Sequence, residues 1–146
     1  TNSKYKYYKN DLDIYDVKYK IINEVPEITL ICWGGLVFEI EEIINDITFN
    51  EEIFVEMIIP TQIYPLNIKP ILESVRETKK LIIVEDDSSF GSLGSEIISQ
   101  LCQAGLNFRC TKINTLNDII PSSKILENNH YANKKEIYNS IKDLYL

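Results

Sequence analysis

From Ile28 onward the apolar residues switch repeatedly between short unbroken runs and a spacing of three and four. The run Ile28-Thr29-Leu30-Ile31-Cys32-Trp33, rich in β-branched and aromatic residues and stopped by Gly34-Gly35, predicts a buried strand entering a tight turn. Behind it Leu36, Val37, Ile40, Ile43, Ile44 and Ile47 fall on one helical face, with Glu39, Glu41, Glu42 and Asp46 on the other. Residues 53–59 repeat the strand signature. After Tyr64-Pro65, Asn67 stands where it can cap a helix with Ile68, Ile71, Leu72 and Val75 inward and Pro70 tolerated in the first turn. The third repetition is Leu81-Ile82-Ile83-Val84, a polar loop, and a helix burying Leu93, Ile97, Ile98, Leu101 and Cys102. Residues 108–113 alternate polar and apolar, as a strand near a sheet edge does. Asn133 and Glu136 have capping-box spacing at the start of a last helix carrying Ile137, Ile141 and Leu144. Residues 17–22 predict one further strand ahead of the series.

Short parallel strands joined by helices cross over right-handed and are covered on both faces. The expected fold is therefore α/β: a three-layer α/β/α sandwich on a mostly parallel sheet. A ligand in such a fold belongs in the crevice beyond the strand carboxyl ends. The chain of 146 residues, 45% hydrophobic, is long enough for one core without metal or disulfide help. Residues 14–146 are expected to form that domain, with residues 1–13 an extended lead-in lying on a neighbouring surface.

Charge narrows the partners. With 22 acidic against 15 basic residues the net charge is -7, unlike a phosphate-backbone binder. Lys4, Lys6, Lys9, Lys18 and Lys20 are interleaved with Tyr5, Tyr7, Tyr8, Tyr15 and Tyr19, but Asp11, Asp13 and Asp16 interrupt them, so nucleic acid is not an expected partner. No apolar run approaches the roughly 20 residues of a membrane helix and no signal peptide is recognisable, so a cytoplasmic or organelle-matrix setting is expected. Cys32, Cys102 and Cys110 lack Cys-x-x-Cys spacing and are expected to be buried reduced thiols. The single histidine, His130, sits in a polar run and offers no Cys–His dyad.

Candidate chemistry concentrates in Glu85, Asp86, Asp87, Ser88, Ser89 and the turn Gly91-Ser92-Leu93-Gly94-Ser95. Gly91, Ser92, Gly94 and Ser95 could present backbone N–H groups to a small anion, or could simply form a tight turn that packs helix on strand. Against the anion stand the upstream carboxylates, the missing Walker lysine and the missing third glycine of a dinucleotide fingerprint. The carboxylates could hold Mg²⁺, but the acidic pair of a receiver pocket is absent after the first strand, and solvated loop carboxylates are the plainer reading. Glu127 lacks a nameable acid–base partner. No residue is assigned a catalytic, cofactor-binding or metal-binding role.

Four segments, in order, resemble the C-terminal domain of transketolase-like thiamine-diphosphate enzymes, most closely that of 2-oxoacid dehydrogenase E1 β subunits. They are the opening Ile28–Gly34 stretch with Val37 and Glu39; Ile63-Tyr64-Pro65-Leu66-Asn67, where the family has Arg-Pro-Leu-Asp; Val84-Glu85-Asp86 through Gly94-Ser95-Glu96-Ile97; and residues 121–127, similar to a Pro-Tyr-x-x-x-Leu-Glu closure. The likeness spans about residues 14 to 146. Departures include Gly35 and Phe38 for Arg and His, Tyr64 and Asn67 for Arg and Asp, and Ser92 for Gly.

The resemblance implies a sheet of about five strands with one antiparallel, which would be residues 17–22. It further implies that thiamine diphosphate and Mg²⁺ are held by other domains of a parent enzyme, and that this domain builds a dimer. Partners are then the remaining domains or the α subunit of the E1 enzyme, and the acyltransferase core. A transketolase or deoxyxylulose-phosphate synthase parent and a free-standing small-anion-binding regulatory module are the alternatives. Phe90, Tyr131, Tyr138 and Tyr145 are the interface candidates.

Overall fold

The computed structural model describes residues 5–9, 15–19, 24–86, 92–114 and 123–146. Strands β1 (Tyr5–Lys9), β2 (Tyr15–Tyr19), β3 (Ile28–Ile31), β4 (Val55–Ile59), β5 (Lys80–Glu85) and β6 (Arg109–Asn114) form one sheet in the order β1-β2-β4-β3-β5-β6. The central pairs β3–β4, β3–β5 and β5–β6 are parallel, whereas β2 runs antiparallel to both β1 and β4. The helices are α1 (Val37–Glu51), entered through a 3-10 turn at Gly34–Leu36, α2 (Lys69–Thr78), α3 (Leu93–Gln103) and α4 (Ser123–Tyr145).

Strand alternation divides the core in two. Ile28, Leu30, Cys32, Val55, Met57, Ile82, Val84 and Ile113 point to one face and meet Ile40, Ile43, Ile44 and Ile47 of α1 and Ile137, Ile141 and Leu144 of α4. Ile31, Ile58, Leu81 and Ile83 point to the other and meet Ile71 and Val75 of α2 and Ile97 and Leu101 of α3. The expected three-layer sandwich is therefore present, with β2 as its antiparallel strand.

The sheet has six strands, one more than the resemblance implied. The extra one is Tyr5–Lys9, inside the segment expected to be a lead-in. Its tyrosines explain the pairing: the Tyr5 and Tyr19 rings lie 4.9 Å apart, and the Tyr5 hydroxyl donates to Glu41 of α1. Tyr19 donates to Asn45 at 2.9 Å, so both strands of the hairpin are bonded to the same helix.

Other expectations change in detail. Asn67 does not cap α2, because the backbone is already helical at Ile68 (φ -73°, ψ -18°) and no side chain caps that turn; Pro70 does lie in the first turn. Asn133 and Glu136 do not start the last helix, which begins at Ser123 and contains both. Its polar first half hid it, since without an apolar stripe the sequence carries no helical period to read. Residues 20–22 and 121–122 lie outside the described residues.

Thr29 and Glu56 interrupt the apolar pattern facing α2. The Lys18 ammonium pairs with Glu56 at 3.2 Å, both nearly buried. The Ser74 hydroxyl donates to Glu56 at 2.8 Å and lies 2.7 Å from the Thr29 hydroxyl, which in turn is 2.8 Å from that of Thr78. A buried charge is tolerable only when its partners remain. Glu56→Ala should therefore destabilise the domain by about 3–5 kcal/mol in urea unfolding, and Lys18→Met with Glu56→Leu should cost far less than that single change.

Stability should also fall at alkaline pH. Burial pushes the Cys32 thiol from an ordinary value near 9 up to about 12, and burial, followed by the Glu41 hydrogen bond, raises the Tyr5 phenol. Both groups are held protonated in the folded state, so their contribution is complete below the unfolded-state values and is lost as pH rises above them. Unfolding midpoints should decline from about pH 9 upward, with Tyr5→Phe flattening the part of the decline above about pH 10.

Candidate functional site

The connection after β3 leads to α1 on one face, whereas the connection after the adjacent β5 leads to α3 on the other. The carboxyl ends of β3 and β5 thus form a switch point, the usual ligand crevice of an open α/β sheet. Its described surroundings are Trp33, Gly34 and Gly35 after β3, the Pro60–Asn67 connection after β4, Glu85 and Asp86, and Ser92 at the start of α3.

The polar centre there is Glu85. Strand alternation turns it toward α3, and its side chain is fully buried, which corrects the expectation of a solvated loop carboxylate. Asp86 is exposed as expected, and Asp87, Ser88, Ser89, Phe90 and Gly91 lie outside the described residues. The Gly94 N–H donates to Glu85 Oε2 at 3.2 Å. Lys112, on the same face of β6, donates to Ser95 Oγ at 2.8 Å and Ser92 Oγ at 3.2 Å, with its ammonium 3.9 Å from Glu85 Oε1. Ser92 caps α3, its hydroxyl accepting from the Ser95 N–H at 3.4 Å.

Three of the four anion-turn candidates, Ser92, Gly94 and Ser95, are thus brought together at one helix N-terminus. A carboxylate from the chain itself stands where an external anion would meet the Gly94 N–H, and the helix dipole and Lys112 stabilise it. Lys112 thus joins both serines to the neighbourhood of Glu85. Sequence reading missed Lys112, although its polar place two residues beyond Cys110 on the alternating strand was the available signal.

Of the interface candidates, Tyr138 is half-buried against the α1 side of the core and accepts from Asn50 at 3.4 Å. Tyr145 is 38% exposed, with the Lys80 ammonium 5.1 Å from its ring centroid. Phe90 and the Tyr131 side chain lie outside the described residues. The larger exposed apolar groups are Phe38 (78%), Phe49 (89%), Ile63 (53%) and Tyr64 (91%). Phe38 and Phe49 project from α1 opposite Ile40, Ile44 and Ile47, a position the helical spacing had made available.

Among the described residues no group of three His, Cys, Asp or Glu side chains is placed to hold a metal ion. No described helix is long and apolar enough to cross a membrane. Cys32 is buried, whereas Cys102 and Cys110 are exposed, correcting the expectation that all three are interior. Cys102 falls to the side of the α3 stripe made by Gly94, Ile97 and Leu101, and Cys110 belongs to an edge strand.

The family model described as the transketolase C-terminal domain matches residues 17–137, and the chain belongs to that family. It is 27% identical over 92 residues to the pyruvate dehydrogenase E1 component subunit beta of Acholeplasma laidlawii, a match spanning 61% of this chain and 28% of that subunit. Among solved structures, a split gene transketolase described as an inactive beta4 tetramer superposes with a TM-score of 0.69 at 16% identity, over 84% of this chain and 40% of that one. A 2-oxoglutarate:ferredoxin oxidoreductase from Magnetococcus marinus superposes with a TM-score of 0.56, also at 16% identity, over 84% of this chain and 20% of that one. The match thus spans between a fifth and two fifths of the length of these relatives.

Gly94 is required by its neighbour. A Cβ there would lie 2.6 Å from Glu85 Oε1 and 3.1 Å from Ile83 Cγ2. Gly94→Ala should cost about 1–3 kcal/mol in chemical denaturation, and Gly94→Ala combined with Glu85→Gly should cost less than the sum of the two single changes, because the pair shares one space.

Proposed function

We propose that this chain is a non-catalytic assembly domain of a thiamine-diphosphate-dependent 2-oxoacid dehydrogenase of the E1 β type. Oxidative decarboxylation of a 2-oxoacid such as pyruvate belongs to the whole enzyme. The observation that carries this reading is the inward bonding of the crevice: Glu85, Ser92, Gly94, Ser95 and Lys112 are bonded to one another. The described residues do not fit the cofactor. A buried carboxylate occupies the helix N-terminus that a diphosphate would need, and among the described residues no three-ligand group of His, Cys, Asp or Glu is gathered for Mg²⁺.

Thiamine diphosphate and its metal are therefore assigned to the remaining domains or to the α subunit. The exposed apolar side chains Phe38, Phe49, Ile63 and Tyr64 supply surface for such neighbours, for a second copy in a dimer, or for the acyltransferase core. A transketolase parent is the second reading, favoured by the superposition on the split gene transketolase. The small-anion module is disfavoured by the carboxylate on Gly94.

Titration calorimetry of the purified chain with thiamine diphosphate and Mg²⁺ should register no binding, and pyruvate should not be consumed. Tight cofactor binding or turnover by this chain alone would sink the assignment.

A further inference from the structure

Strand β1 stands at one end of the sheet order, and among the described residues only β2 pairs with it, so its outer row of backbone N–H and C=O groups faces away from the sheet. The strand lies outside residues 17–137, the part matched by the family model, so the family domain does not account for this edge. Alternation along β1 sets Tyr7 on the same face as Tyr5, the α1 side. Tyr5 packs against the core there, whereas Tyr7 is 66% exposed.

The order of residues in β1 is complementary to its own reverse. It reads Tyr-Lys-Tyr-Tyr-Lys from residue 5 to residue 9. Two antiparallel copies centred on Tyr7 pair residue 5 with residue 9 and residue 6 with residue 8, so every lysine position meets a tyrosine position and all five residues are used. A slip of the centre to residue 6 sets Lys6 against Lys6, and a slip to residue 8 leaves three residues paired instead of five. Like charges directly opposite one another destabilise a strand pair. Edge lysines guard a sheet against indiscriminate pairing, and at this spacing they leave the centred register open.

We propose that β1 is a docking edge for the β1 of a second copy of this chain, paired antiparallel about a twofold axis at Tyr7, so that two six-stranded sheets join into one. The axis is perpendicular to the sheet, which keeps the α1 and α4 layers of both copies on the same side. The two Tyr7 side chains meet at the axis as a cross-strand aromatic pair and cover one another's exposed surface. A five-residue strand pair buries little area, so the dimer is weak and depends on concentration. The pairing stands apart from the thiamine-diphosphate reading, which cofactor binding tests, so the two fail separately.

Sedimentation velocity of the purified chain, from low to high micromolar concentration, should show a reversible monomer–dimer equilibrium. Tyr7→Lys, which sets lysine against lysine at the axis, should remain monomeric over that range while its unfolding midpoint at low concentration matches that of the unaltered chain. Cross-linking fixes the register, in a background of Cys102→Ser with Cys110→Ser. There Tyr7→Cys should oxidise to a dimer linked through residue 7, since opposed Cα atoms lie about 4.5–5.5 Å apart, within disulfide reach. Lys9→Cys should stay largely unlinked, because its two copies are offset by about 13 Å along the strands. A chain that is monomeric throughout, a dimer that Tyr7→Lys leaves intact, or Lys9→Cys linking as fast as Tyr7→Cys would overturn the proposal.

Discussion

Charge buried beneath α2 and α3 is the constraint to which much of this domain answers. The sheet is covered on both sides, so any ionised group pointing toward a helix must find its counter-charge and its hydrogen bonds within the protein. At the strand amino ends Glu56 does so through Lys18 and Ser74, and Thr29 joins Ser74 to Thr78. At the carboxyl ends the Gly94 N–H donates to Glu85 Oε2, and the Lys112 ammonium, donating to Ser92 and Ser95, stands 3.9 Å from Glu85 Oε1. Both clusters tie a helix to a strand at one register. The opposite face is almost wholly apolar and rests on volume, with α1 and α4 filling it by isoleucine.

The same constraint shapes the functional conclusion. A switch-point crevice with a glycine turn and a helix N-terminus is where an α/β domain ordinarily receives an anion. Here the anion is a side chain of the preceding strand, Glu85, which accepts from the Gly94 N–H. The apolar groups left outward are on α1, at Phe38 and Phe49, and on the β4–α2 connection, at Ile63 and Tyr64.

Much of the fold was legible because burial on two faces writes unbroken apolar runs into β3 and β5, and amphipathic spacing writes α1, α2 and α3. Where those signals weaken, so did the reading. The polar first half of α4 carries no stripe, and α1 and α2 end on Glu52 and Lys79 with positive φ (54° and 58°) rather than on glycine, so neither stop is marked. The hairpin strand β1 lacks an apolar run, and Tyr5, set against Tyr19 and Glu41, joins its backbone pairing with β2 in giving it a place.

The sequence by itself determined the class of fold, the parallel core and the family likeness, because strand and helix periods are local and survive without knowing what lies opposite. Whether Glu85 was a solvated loop acid or a buried helix cap, and whether Cys102 and Cys110 were interior or exposed, depended on which element packs over each residue. Those are contacts between segments distant in sequence, and only the folded arrangement of β5, α3 and β6 decides them.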